Sequence, residues 1–213
     1  MIKYFIRTTG ERKLDESISR ELGEEYTLLV DTEHKPIMSF IKQLEQISKY
    51  DAVLLEDDVI LCKNFKQRIE EVINKNKDKL INFFTNPNSW FKTKENIGCF
   101  SFNQCTYYPK GISKLLAEKI ITFKNWDKIG YDLLMNKALV NLNISHIQYR
   151  PCLVQHIDIK SLLPFHHFKP RRCIYFIDYL EELGISYEDA WTKENKQKLI
   201  NLMKEKFKKF KGE

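Results

Sequence analysis

The sequence predicts an α/β domain with one mixed, mostly parallel β-sheet flanked by helices. Three observations lead there. Short apolar runs (Lys3 to Arg7, Tyr26 to Val30, Asp51 to Leu55, Leu80 to Phe84) alternate with stretches whose apolar residues recur at helical spacing. Val53-Leu54-Leu55 is apolar at consecutive positions, as in a strand covered on both faces. That run stops at Glu56-Asp57-Asp58, and open α/β sheets gather their ligand-binding groups at the carboxyl ends of strands.

Each element has a local reason. Lys3 to Arg7 is a first strand, with Thr8-Thr9-Gly10 as its turn. Leu14 to Leu22 is a helix with Asp15 and Glu16 near its start. Tyr26 to Val30 is a strand ending at Asp31. Pro36 suits a first helical turn and opens a helix with Ile37, Phe40, Ile41, Leu44 and Ile47 on one stripe. Asn64 is placed to cap a helix over Phe65 to Asn74. After a fourth strand, Leu80 to Phe84, the stretch from Thr85 to Tyr108 is rich in Asn and aromatics and weakly periodic. It is expected to form irregular strands and loops beside a cleft. Helices at Gly111 to Ile121 and Trp126 to Leu139, a strand at Ile144 to Tyr149 and an extended stretch at Pro151 to Leu163 follow. A Pro-bounded loop over Pro164 to Pro170 leads to helices at Ile174 to Leu183 and Glu188 to Phe210. The βαβαβαβ order implies right-handed crossovers.

With 213 residues, 43% hydrophobic and 30% charged, the chain is long enough for a real core and is globular rather than disordered. Residues 1–165 are expected to form the catalytic core, and 166–213 a helical extension packed on it. There is no apolar run long enough for a transmembrane helix. The opening Met1-Ile2-Lys3-Tyr4-Phe5-Ile6-Arg7 is charged too early for a signal peptide. Five scattered cysteines without a Cys-x-x-Cys pair indicate reduced thiols, a cytoplasmic setting and no zinc knot. The net charge is +6, and from Thr192 onward eight lysines face three glutamates. This end is read first as a solvated helix face, with weak contact to a membrane surface as the alternative. No aromatic-interleaved basic stripe points to nucleic acid.

The acidic triplet is the most informative feature. Three adjacent carboxylates repel one another and resist desolvation, so a positive partner is expected, by default a divalent cation on oxygen ligands. A solvated acidic turn is the alternative.

The residues also resemble a family. Leu54-Leu55-Glu56-Asp57-Asp58-Val59 resembles the Asp-x-Asp-type metal motif of nucleotide-sugar glycosyltransferases with the Rossmann-like type A fold. Tyr107-Tyr108-Pro109-Lys110-Gly111-Ile112-Ser113 looks like the acceptor-side turn into a helix in that family. Trp126-Asp127-Lys128-Ile129-Gly130-Tyr131-Asp132 looks like the segment that sets an acid at a helix start. Pro151-Cys152-Leu153-Val154-Gln155-His156, followed by Lys160 and Ser161, is similar to the closing stretch of lipopolysaccharide-type and N-acetylglucosaminyl-type transferases. Asp158 departs from the glycine often found there.

The resemblance implies a manganese or magnesium ion held by Asp58, Asp57 and His156, with Glu56 as a supporting acid. It implies that Lys160 and Ser161 face the diphosphate. Arg7, Thr8, Thr9, Arg12 and Asp31, at the ends of the first two strands, would hold the nucleoside of a UDP-sugar. Asp132, or second Asp127, would deprotonate a hydroxyl of a glycan or glycoprotein acceptor in an inverting transfer. Each has a plain alternative: surface charge for Arg7 and Arg12, helix capping for Asp132 and Asp127, and a structural role for His156. Trp90, Phe91, Tyr107, Tyr108 and Trp126 could stack on sugar rings, though aromatics more commonly fill cores. Two other classes compete. One is a magnesium-dependent nucleotidyltransferase or phosphohydrolase, disfavoured by the single glycine in Thr8-Thr9-Gly10-Glu11-Arg12 and by a first strand without acids. The other is a non-catalytic glycan-binding module, disfavoured by three crowded acids with no cation.

Overall fold

The computed structural model describes residues 1–85, 92–100, 102–157 and 171–210. It is a Rossmann-like α/β fold. Among the described residues, the main sheet has seven strands in the order β2-β1-β3-β7-β5-β8-β6. Here β1 is Ile2–Thr8, β2 Tyr26–Val30, β3 Asp51–Glu56, β5 Leu80–Asn82, β6 Lys94–Asn96, β7 Cys105–Tyr108 and β8 His146–Gln148. A separate antiparallel pair joins β4 (Val59–Leu61) to β9 (Val154–His156). Strands β1, β2, β3, β5 and β8 run one way, while β7 and β6 run the other.

Alternation along the central strands explains the layers. Tyr4, Ile6, Val53 and Leu55 face one core, whereas Phe5, Ala52 and Leu54 face the other. The first core is closed by α1 (Glu16–Leu22), α3 (Phe65–Lys75), α6 (Ile177–Glu182) and α7 (Lys193–Phe210). The second is closed by α2 (Pro36–Ile47), α4 (Ile112–Ile120) and α5 (Tyr131–Asn141). Burial of β3 on both faces is therefore as its apolar run predicts. Cys173, Phe176, Tyr179, Leu180 and Leu199 belong to the same first core, so the carboxyl-terminal helices are integral to it.

Local chemistry fits several boundaries. The Asp15 carboxylate accepts from Ser17 N–H at 2.8 Å and caps α1. Pro36 stands at the first turn of α2. The expected Asn64 cap on α3 is not made: Asn64 has φ 55° and no capping side-chain bond. Phe65 N–H is instead satisfied by Glu21 Oε2 of α1 at 3.0 Å. The helix expected over Trp126 to Leu139 is broken at the extended Gly130 into a 3-10 turn, Trp126–Lys128, and α5.

The main departure lies in the weakly periodic stretch. Its residues 105–108 form β7, a fully buried antiparallel strand between β3 and β5. Tyr107 and Tyr108 are core residues in this strand, not exposed platforms for sugar rings. Register sets direction: Ala52 pairs with Tyr108 and Leu55 with Cys105. The turn after Tyr108 therefore lies at the edge of the sheet away from Glu56, where Lys110 N–H donates to Asp51 at 3.1 Å. The residues just before β7 arrive at the acidic end instead.

Candidate active site at the carboxyl end of the sheet

Two linked clusters form at the end of β3. The first depends on β4 and β9. Val59 and His156 are register partners, and Ile157 N–H donates to the Asp58 carbonyl at 2.8 Å. This brings His156 Nε2 to 3.3 Å from Asp58 Oδ2. Arg12, in the loop after β1, reaches both neighbouring acids through one nitrogen, 3.1 Å from Asp57 Oδ1 and 3.0 Å from Asp58 Oδ2. Burial alone would raise the pKa of Asp58, but the hydrogen bond and charge of His156, then Arg12, outweigh it and hold the carboxyl below its ordinary value.

The second cluster is built on Arg7. Its guanidinium carbon lies 4.6 Å from the centroid of the Tyr131 ring and 5.0 Å from that of Phe40, and its Nη1 is 3.6 Å from Glu56 Oε1. Tyr131 donates to the same Glu56 oxygen at 2.7 Å, and Gln104 Nε2 is 3.4 Å from the other. Burial, followed by the charge of Asp58, raises the pKa of Glu56 against Arg7 and the Tyr131 hydroxyl. Next to Tyr131 at the start of α5, the half-buried Asp132 is pushed up to about 7. Burial is the main cause and Glu56 the second, opposed by Arg171, Arg7 and the backbone N–H of Asn103.

The structure thus brings together Arg7, Arg12, Glu56, Asp57, Asp58, Asp132 and His156. Thr8 and Asp31 lie beside them in turns: Thr8 Oγ1 accepts from Gly10 N–H at 2.9 Å, and Asp31 accepts from Lys35 N–H at 3.3 Å before α2. Thr9 Oγ1 is buried without a hydrogen-bond partner. Asp127 is exposed on the 3-10 turn, and among the described residues no hydrogen bond or ion pair joins it to either cluster. Lys160, Ser161, Asp158, Trp90 and Phe91 lie outside the described residues.

Three members of the site carried no expectation from the sequence: Tyr131, Asn103 and Gln104. Tyr131 had a weak signal in its place beside Asp132. Asn103 and Gln104 had none, because only the reversed direction of β7 delivers them to the acidic end.

Positive groups do meet the triplet within the chain: Arg7 faces Glu56, Arg12 faces Asp57 and Asp58, and the His156 imidazole lies beside Asp58. Among the described residues, no three His, Cys, Asp or Glu side chains already converge as a metal-holding group. The donor set nevertheless fits a divalent ion. Two carboxylates and an imidazole are ligands that manganese accepts, and Asp58 Oδ1 is buried without a hydrogen-bond partner.

No protein family and no curated protein matches the chain. Among solved structures, the chain is similar to A197 from STIV at 15% identity and a TM-score of 0.45, over 78% of this chain and 99% of that one.

Proposed function

We propose that the protein is a glycosyltransferase that moves a sugar from a UDP-sugar to a hydroxyl of a glycan or glycoprotein, with inversion. The observation that carries this is Asp132: a carboxylate at a helix start, raised to about 7, in the same network as the strand-end acids. A general base works best when its pKa lies near the working pH. Asp132 Oδ1 is also buried without a hydrogen-bond partner, open to the proton of an acceptor hydroxyl.

Asp58, Asp57 and His156 would hold manganese or magnesium, whose charge would stabilise the departing diphosphate. Arg12 would trade the carboxylates for a phosphate oxygen, which a guanidinium also binds. Arg7 is held rigid by two rings and Glu56 and orients the acids around it. No helix among the described residues is long and apolar enough to cross a membrane. All five cysteines are free, which supports a reducing, cytoplasmic setting. The exposed lysines of α7 support at most weak contact with a membrane surface.

A non-catalytic glycan-binding module is the second reading. It is favoured by one observation: Arg7, Arg12 and His156 already offset the acidic triplet without a metal. A panel of nucleotide sugars incubated with manganese and scored for nucleoside diphosphate release decides between them. Release with one donor, lost in Asp58→Ala, supports the transferase. Silence across the panel with retained glycan binding supports the module.

A further inference from the structure

We infer that the open edge of the main sheet, at β2, is a docking site for an extended strand of a partner protein, one with basic residues on both sides of a short apolar stretch. Strand β2 ends the sheet. It pairs with β1, and among the described residues no strand pairs with its other side. The ladder fixes which groups face outward. Asp31 N–H donates to the Thr8 carbonyl at 2.8 Å, toward β1. Backbone groups alternate in direction along a strand, so those of Tyr26, Leu28 and Val30 point away from β1. The side chains of the same three residues share one face of the sheet. Tyr26 packs against the first core, while Leu28 and Val30 are 46% and 47% exposed. The edge thus presents a row of backbone donors and acceptors beside two exposed aliphatic side chains.

The two edges of the sheet differ. Edges that must not recruit another strand are kept short, or carry charges, Pro or bulges. At the far edge, β6 has three residues and exposes Lys94 and Glu95. Strand β2 has five residues, Tyr-Thr-Leu-Leu-Val, with no charge, Pro or Gly among them. An uncharged edge of this kind is what strand addition uses: main-chain hydrogen bonds give affinity, and the side chains around them select the partner.

Charge selects the occupant. The chain carries +6 overall, yet residues 24–34 hold four acids (Glu24, Glu25, Asp31 and Glu33) and no Lys or Arg. Lys66 pairs with Glu25, and Lys35 and Lys42 pair with Glu33. Such exposed pairs contribute about 1 kcal/mol or less and exchange readily. A second copy of this chain would pair β2 with β2 in antiparallel fashion about Leu28. That pairing sets Glu25 opposite Asp31 at both ends, and like charges so placed repel. A strand with Lys or Arg at both ends meets the same acids favourably.

The test is amide hydrogen exchange, read by NMR on the full chain, with a synthetic peptide that alternates Val and Thr between pairs of lysines. With the peptide at saturation, exchange of the Tyr26, Leu28 and Val30 amides should slow by about tenfold or more, while Thr27, Leu29 and Asp31, which face β1, change little. A peptide with glutamates in place of the lysines should not bind. Leu28→Lys should raise the dissociation constant about tenfold, because an apolar contact is lost and a charge like the peptide's is added. A peptide N-methylated at its Val and Thr residues keeps the charges but cannot donate to the ladder. It should not bind, and it carries the test should Leu28→Lys fail to fold. No slowing at the three outward amides, binding by the glutamate or N-methylated peptide, or unchanged affinity in the folded variant would each overturn the inference. So would concentration-dependent dimers of the chain alone, seen by sedimentation with the same three amides already protected, since a second copy would then occupy the edge. None of these readouts involves metal, nucleotide or sugar, so the outcome is independent of the transferase reading.

Discussion

His156 Nε2 lies 3.3 Å from Asp58 Oδ2 because Val59 and His156 are paired across the two-stranded sheet of β4 and β9. A histidine from late in the core and an acid from its middle become one unit through a backbone ladder. If that unit serves a metal, His156→Ala should cut metal-supported turnover of the donor while the melting temperature stays within a few degrees of wild type. A large drop in melting temperature with unchanged turnover would make His156 structural.

UDP with manganese should raise the melting temperature, since a ligand selective for the folded state stabilises it by mass action, by about 2.7 kcal/mol at a hundredfold excess over its dissociation constant. Asp58→Ala should remove the manganese-dependent part of that rise. An identical melting curve with and without UDP and manganese would take away the donor assignment.

Arg12 and a cation compete for the same two carboxylates. Arg12→Met should therefore destabilise the metal-free protein by about 2 kcal/mol, because the buried Asp57 loses its ion pair and Asp58 keeps only His156. The same change should tighten manganese binding when no nucleotide is present. Urea midpoints in chelator and a manganese titration by calorimetry measure both effects; weaker metal binding in the variant would contradict shared use of the carboxylates.

Asp132 gives opposite expectations for rate and stability. Asp132→Asn should lower transfer by about 10²–10⁴-fold with little change in donor affinity, since the amide cannot take up a proton. Wild-type transfer should rise with pH through about 7 as this carboxyl ionises. Stability runs the other way. A folded-state value raised from 3.8 to about 7 means that the folded protein holds the proton more tightly than the unfolded chain. Its contribution is fully present below about 3.8 and is lost as pH climbs through about 7. Asn in its place should thus stabilise the protein above neutrality by about 1 kcal/mol, allowing for the partial solvent access of the site, and change little in acid. Melting temperatures across pH for both proteins check the crossing. Asp127→Asn, at an exposed site, should leave transfer nearly unchanged, and a collapse of the rate there would move the base to Asp127.

The lysine-rich end holds none of the proposed ligands, yet it is not inert. Phe207 is buried, with its ring centroid 3.9 Å from the Arg172 guanidinium carbon. Phe207→Ala should lower stability by about 3 kcal/mol while UDP affinity in the folded fraction holds. Loss of UDP binding by a still-folded variant would show that α7 completes the site.

Much of this was present in the order of residues. Val53, Leu54 and Leu55 had to form a strand buried on both sides, because neighbouring strand positions alternate between faces, and Glu56, Asp57 and Asp58 had to end that apolar run, because three adjacent carboxylates are buried only where charged partners meet them. Asp15 as a cap and Pro36 in a first turn are likewise short-range steric and hydrogen-bond choices, readable within a few residues. The antiparallel insertion of β7 was not readable. Its four residues are too short for a periodic signal, and strand direction is settled by which neighbours bury them. That one reversal sends the turn after Tyr108 to the far edge of the sheet and delivers Asn103 and Gln104 to the acids. The charge balance was equally a matter of tertiary structure: Arg12 meets Asp57 and Asp58, and Arg7 packs between Phe40 and Tyr131, only once the strands are side by side. An aspartate in a sequence carries its ordinary acidity; burial beside Glu56, opposed by two arginines, is what raises Asp132 to about 7.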